Sequence, residues 1–259
     1  MGRVIGIISG KGGVGKTILT TNLGAALAKK FNKNVVVVDC NITTPHLGLY
    51  LGMYFSPVTV NKVLRNETSV EEAIHEHFSG MKVVPASLSL SDLKGVDIFQ
   101  FKDAIKKLSK EAEIVLLDLS PGLGRECMAG LRACDEVLFV TTPHVPAVMD
   151  VVRCLEVVRE LGIKPLGIVL NKVSKDKHEL NDEEVEQLAG LPVISTIPFD
   201  KNVDRSVTLK TPVVLFSPKS KASKELFKLA ASLIGEKYET EGIFRRILKR
   251  LRRKRKVSK

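Results

Sequence analysis

The chain has 259 residues, 44% of them apolar and 27% charged, with 40 Lys and Arg against 29 Asp and Glu. This is the composition of one large globular domain, or at most two small ones, and it excludes a largely disordered chain. No apolar run nears the ~20 residues of a spanning helix. Residues 1–6 have no signal-peptide layout, and position 6 lacks the Ser or Thr of a myristoylation motif, so a cytoplasmic protein is expected.

The charge is concentrated at one end. Residues 242–259 hold ten Lys and Arg and no acid, which leaves 30 basic and 29 acidic residues in 1–241. A near-neutral body with a basic tail argues against a general nucleic-acid face and for an electrostatic role of the tail. The four cysteines, Cys40, Cys127, Cys134 and Cys154, form no C-x-x-C pair and have no histidine cluster beside them. They read as small buried hydrophobes in a reducing compartment.

In chain order, short β-branched runs predict strands over 4–8, 35–38, 82–84, 114–117, 137–140, 166–170 and 193–197. Helical patterns occupy 17–30, 70–77, 101–110, 147–161, 182–189 and 220–234. Several strands are apolar at nearly every position, as in parallel strands covered on both faces. The alternation predicts a doubly wound α/β domain with a mainly parallel sheet. Residues 237–242 read as a hinge into the tail, and 56–93 carries no readable motif.

The sharpest signal is Gly10-Lys11-Gly12-Gly13-Val14-Gly15-Lys16-Thr17, which fills G-x-x-x-x-G-K-[ST] between a predicted strand and a predicted helix. Glycines let successive N–H groups turn inward on phosphate oxygens, and the helix N-terminus adds its positive dipole end. Lys16 reaches the β/γ-phosphates and the Thr17 hydroxyl suits Mg²⁺. Two predicted strands end in acids, Asp39 and Asp118, on the edge of the sheet where ligands bind. Both are read as Mg²⁺-linked, although a lone strand-end Asp is more often a turn residue. In Leu170-Asn171-Lys172-Val173-Ser174 the fourth position of an N-K-x-D element is Ser174, so the guanine-selecting acid is missing and ATP is favoured over GTP.

Lys11 is a second lysine that a generic P-loop does not need. With it, the motif resembles the deviant Walker A of the MinD/ParA family of ATPases. The resemblance implies a P-loop ATPase domain over 1–236 that binds ATP/ADP and Mg²⁺, hydrolyses ATP, and forms an ATP-dependent homodimer in which Lys11 reaches the partner's phosphates. It extends the nucleotide contacts to Ile18 and, on the adenine side, to Asn171, Pro198 and Asp200. It also gives Asp118 the Walker B role and makes Ser120-Pro121-Gly122 a sensor of the γ-phosphate. Catalysis would rest on Lys11, Lys16, Asp39, Asn41 and Asp118. Asn41 stands where bacterial members carry a second Asp, and an amide orients water without acting as a base, so hydrolysis is expected to be slow until a protein partner stimulates it. Asn41 reads equally well as a turn residue. The segment 41–48 is similar to that of archaeal MinD-like proteins.

In the tail, Ile243, Phe244, Ile247, Leu248 and Leu251 recur at helical spacing, with Arg245, Arg246 and Lys249 elsewhere on the helix. So short a helix needs a surface that buries its apolar stripe. Together with its resemblance to the membrane-targeting end of MinD, this makes 243–259 a tail for an anionic membrane and the protein peripheral on the inner face of the cell membrane. The family's role implies the positioning of partner proteins. Three other readings stand beside it: a DNA-partition ATPase of the ParA type, an iron–sulfur carrier using Cys127, and an ATP-binding scaffold with negligible turnover.

Overall fold

The computed structural model describes residues 1–238. The predicted hinge extends beyond them, and the tail residues Ile243, Phe244, Arg245, Arg246, Ile247, Leu248, Lys249 and Leu251 lie outside the described residues. The chain runs β1 (Arg3–Ile8), α1 (Lys16–Phe31), β2 (Val35–Asp39), α2 (Leu47–Leu51), α3 (Val60–Leu64), β3 (His75–Glu76), β4 (Lys82–Val84), α4 (Phe101–Glu111) and β5 (Ile114–Asp118). It continues through α5 (Arg125–Leu131), β6 (Glu136–Thr141), α6 (Val145–Glu160), β7 (Lys164–Val173), α7 (Asp182–Ala189), β8 (Val193–Pro198), α8 (Lys201–Thr208), α9 (Val213–Phe216) and α10 (Lys221–Leu233).

These strands form one eight-stranded sheet, ordered β3-β4-β2-β5-β1-β6-β7-β8, in which β3 alone runs antiparallel to its neighbour. Period-2 alternation divides the core. Val36, Val38, Val115 and Leu117 face one apolar layer with α4 and α6, while Val35, Val37, Ile114 and Leu116 face another with α1 and α10. Helix α1 is buried along most of its length, because sheet and α10 enclose it from both sides. Its buried Asn22 donates to the Ile18 carbonyl at 2.7 Å and accepts the Val214 N–H at 3.1 Å, which pins α9 to it.

The predicted order of major strands and helices is met, with one exception. Residues 70–77 form no helix: a turn leads into β3, which pairs with β4. Gly80, at φ +87°, closes this hairpin, and the His77 N–H donates to the Met81 carbonyl at 3.0 Å. Edge pairing of His75 and Glu76 with β4 outweighs the helical preference of Glu71 and Glu72, which sit in the turn before it. Cys134 lies in the turn before β6 with its sulfur against β1 at Gly6.

Candidate active site

The site lies where β1, β2 and β5 end together. Gly13 and Gly15 take φ of +81° and +96°, the left-handed region that a side chain resists. A Cβ on Gly12 or Gly13 would meet nothing within 4 Å, whereas one on Gly15 would lie 2.4 Å from the Asn171 amide nitrogen. The residues Gly12, Gly13, Val14, Gly15, Lys16, Thr17 and Ile18 line a cavity of about 540 Å³, together with Asn41, Thr44, His46, Tyr50 and Pro121. Gly10 sits just before it, packed on Asp150 of α6.

Lys16 is buried and its Nζ lies 2.7 Å from Asp118 Oδ1. The Thr17 hydroxyl donates to Asp118 Oδ2 at 2.6 Å, and the Thr20 hydroxyl lies 3.3 Å from Oδ1. Asp118 therefore gathers the P-loop side chains as a Walker B acid must. Asp39 stands beside it, paired in register across β2 and β5. Its carboxylate contacts no P-loop side chain, however. It accepts the Asn41 and Leu47 N–H groups, each at 3.1 Å, and so also does the work of a turn residue. Burial, and next the charge of Asp118, push Asp39 up to about 7 against the pull of those amides and of Lys16.

Two buried carboxylates facing one lysine leave an excess of negative charge at the carboxyl ends of the strands. With the Thr17 hydroxyl they form an all-oxygen donor set, which is the chemistry Mg²⁺ requires. The residues present therefore fit the metal.

The other predicted residues separate into several roles. Lys11 is exposed and does not line the cavity, and its carbonyl accepts the Ser9 hydroxyl at 2.9 Å. Asn41 lines the cavity, but its amide exchanges two bonds with Thr44, donating to the carbonyl at 2.6 Å and accepting the hydroxyl at 3.1 Å. Ile18, Asn171, Pro198 and Asp200 do come together, in a second and mainly apolar hollow with Phe199, Val203 and Leu226. There Asp200 caps α8, accepting Asn202 N–H at 2.9 Å and Ala222 N–H at 3.1 Å. Burial alone would raise its pKa, but these donors outweigh it and hold the acid below its ordinary range.

Sequence reasoning missed Lys172, whose Nζ donates to the Gly13 carbonyl at 2.7 Å while Asn171 donates to the Val14 carbonyl at 2.8 Å. Lys172 sits at φ +61°, a conformation no pattern announces. His46 and Tyr50 were also missed, although their i,i+4 spacing at α2 was available. The cysteines Cys40, Cys127, Cys134 and Cys154 are free, and burial pushes Cys127 up to about 12. Among the described residues no group of His, Cys, Asp and Glu is arranged to hold a metal as a cluster of three or more.

A strand, a glycine loop with an inward lysine, and a buried strand-end acid in a doubly wound sheet define a P-loop nucleotide-binding protein. The comparisons place it more closely. The model of the CobQ/CobB/MinD/ParA nucleotide binding domain matches residues 5–213. An uncharacterized ATP-binding protein of Methanocaldococcus jannaschii is 34% identical over 241 residues, covering 93% of this chain and 91% of the relative. The cell division ATPase MinD of Pyrococcus furiosus superposes with a TM-score of 0.87 at 32% identity, covering 91% of this chain and 99% of that one. The septum site-determining protein MinD of Pyrococcus horikoshii, solved with Mg-ADP, gives 0.86 at 28% identity, covering 90% and 96%. The chain belongs to the CobQ/CobB/MinD/ParA family. It is an ATPase of the MinD/ParA type, with ATP/ADP and Mg²⁺ as its cofactors.

Proposed function

We propose that this ATPase is a membrane switch. ATP closes a homodimer, the paired C-terminal tails hold the dimer on an anionic membrane at the inner face of the cell, and partner proteins are recruited or positioned there. Lys11 carries the dimer half of this reading. It is exposed beside the phosphate cavity without lining it, free to reach phosphates held by a second copy. Within one subunit Lys16, Thr17 and the loop amides would hold the β- and γ-phosphates, and Thr17, Asp118 and Asp39 would hold Mg²⁺. Bound there, Mg²⁺ neutralises charge on the phosphate oxygens. Asn171, Pro198 and Asp200 would frame the adenine, with Asp200 acting through the α8 cap.

The geometry at the last described residue supports the membrane half. Tyr238 packs on Phe31 and Phe227, with ring centroids 6.2 and 5.3 Å apart, at the C-terminal end of α1. The P-loop is at the other end of that 16-residue helix, about 24 Å away. The last described residue thus lies at the end of α1 opposite the nucleotide, which supports a reading in which membrane and dimer contacts would not compete.

A second reading, an ATP-binding scaffold with negligible turnover, is favoured by the occupied Asn41 amide, which is spent on Thr44. Vesicle co-sedimentation tests the switch. On anionic vesicles the full chain should sediment with a slowly hydrolysed ATP analogue and not with ADP, and residues 1–238 in neither state. Tail-dependent binding that ignores nucleotide would leave an anchored ATPase without a switch. No binding to vesicles, with salt-dependent binding to DNA instead, would favour a ParA-type role.

A further inference from the structure

We infer that Glu126 is a positioning residue that ties the two γ-phosphate-side loops into one body, because its carboxylate accepts a hydroxyl from each: Thr43 from the loop after β2 and Ser120 from the loop after β5. This rests on the reading that those loops receive the terminal phosphate.

Glu126 is the second residue of α5, where a carboxylate suits the helix N-terminus. Its Oε2 accepts the Ser120 hydroxyl at 2.9 Å, and its Oε1 accepts the Thr43 hydroxyl. The loops are already adjacent at their roots, since β2 and β5 pair and the Cys40 N–H donates to the Asp118 carbonyl at 3.0 Å. Ser120 Oγ also lies 3.3 Å from the Cys40 carbonyl. Further out the support thins: Thr43, Thr44, Pro121, Leu123 and Gly124 are all exposed. Each loop nevertheless contributes to the phosphate cavity, one through Asn41 and Thr44 and the other through Pro121.

The chemistry of the tie is specific. Its carboxylate offers a separate acceptor oxygen to each hydroxyl and needs no donor of its own. The carboxylate does not reach the cavity, so it acts through the loops. Thr43 is two residues from Asn41, whose amide is locked to Thr44, and moving Thr43 therefore moves the whole wall of the cavity. The Gly122 N–H donates to the Ser9 carbonyl at 2.9 Å, which ties the second loop to the entry of the P-loop. With Glu126 in place, a phosphate contacting either loop meets both. Without it, the loops sample their positions independently and the reacting geometry is met less often.

The test is steady-state ATP turnover of the full chain with Mg²⁺, compared for the wild type, Glu126→Ala, Glu126→Gln, Thr43→Val and Thr43→Val/Glu126→Ala. Glu126→Ala should lower kcat about tenfold while KM for ATP and affinity for ADP stay within about twofold. Thr43→Val should lower kcat severalfold in the wild type and have no further effect beside Glu126→Ala, because both changes cut the same tie. Glu126→Gln, which keeps one acceptor oxygen and the shape, should recover most of the rate. Equal turnover of Glu126→Ala and wild type, or a faster Glu126→Ala, would overturn the inference. So would additive losses in the double variant, or a loss of ADP binding that tracked a fall in melting temperature. A wild type that binds ADP but shows no turnover would instead sink the reading of these loops as the γ-phosphate site.

Discussion

At the scale of single residues, the least comfortable group is Asp39. Its carboxyl is buried beside Asp118, and burial followed by that charge raises it to about 7, from 3.8 for an unperturbed aspartate. An acid with a raised folded-state pKa keeps its proton in the folded chain after the unfolded chain has lost it. Between about pH 4 and 7 the folded state therefore binds more protons, and stability falls as pH rises. The penalty is complete above pH 7 and absent below about 4. Thermal melts without nucleotide or metal should thus show a melting temperature that declines from pH 5 to pH 8, with Asp39→Asn flattening that decline. Mg²⁺ takes the ionised form, so its affinity should rise across the same window in the wild type and not in Asp39→Asn. Lys11 presents the opposite case, an exposed cation with no duty within its own cavity. Lys11→Ala should bind ADP within about twofold of wild type yet stay monomeric with an ATP analogue. Light scattering on the eluting peak reads this directly, and a dimer of Lys11→Ala would remove Lys11 from the interface.

The glycine loop is the element on which the base and phosphate regions meet. Asn171 and Lys172 at the end of β7 donate to the carbonyls of Val14 and Gly13, and Gly15 leaves the room they need. Gly15→Ala would place a Cβ 2.4 Å from Asn171 Nδ2 at a φ of +96°. The combination of strain and lost contact should cost about 1–3 kcal/mol of stability and reduce ADP affinity by more than tenfold, as calorimetry would show. This loop was legible in the sequence because its glycines are demanded locally, by backbone conformation. The start of α7 was legible for the same reason: Asn181 accepts the Glu184 N–H and the Glu184 side chain accepts the Asn181 N–H, a capping box contained within four residues. The clamp on the loop was not legible, since Lys172 meets Gly13 only through the fold. Nor was β3, which is two residues long and exists because β4 pairs with it. The helices α2, α3 and α9 span five, five and four residues, too few to display a period, and tertiary contacts hold them in place. Asp39 and Asp200 lie between these cases. The strand-end pattern located Asp39 and the family resemblance Asp200, but the N–H groups each accepts belong to helices that the fold brings to it, Leu47 of α2 for Asp39 and Asn202 of α8 with Ala222 of α10 for Asp200, and they make each acid part of the scaffold as well.

For the whole molecule, the proposed switch rests on a near-neutral body with a strongly basic end. The body of 1–241 carries a net charge of +1, and the remaining ten Lys and Arg lie in 242–259. A single tail near an anionic surface gains roughly 1 kcal/mol per basic residue close to the headgroups, together with the burial of a short apolar stripe. On the proposed membrane reading, one tail would bind weakly and reversibly. A dimer presents two, and the second binds at the effective concentration set by the first, which raises avidity by about 10²–10⁴ without any new contact. Nucleotide control of the membrane then requires nothing of the tail except weakness. The argument can be tested apart from the ATPase by grafting residues 239–259 onto a carrier. A monomeric carrier with one tail should sediment little with anionic vesicles at 150 mM salt, and an obligate dimer with two should sediment nearly completely. Both should release as salt rises, because screening shortens the reach of each charge. Tight binding of the monomeric carrier would mean that one tail suffices, and dimerisation could not then be what places the protein on the membrane.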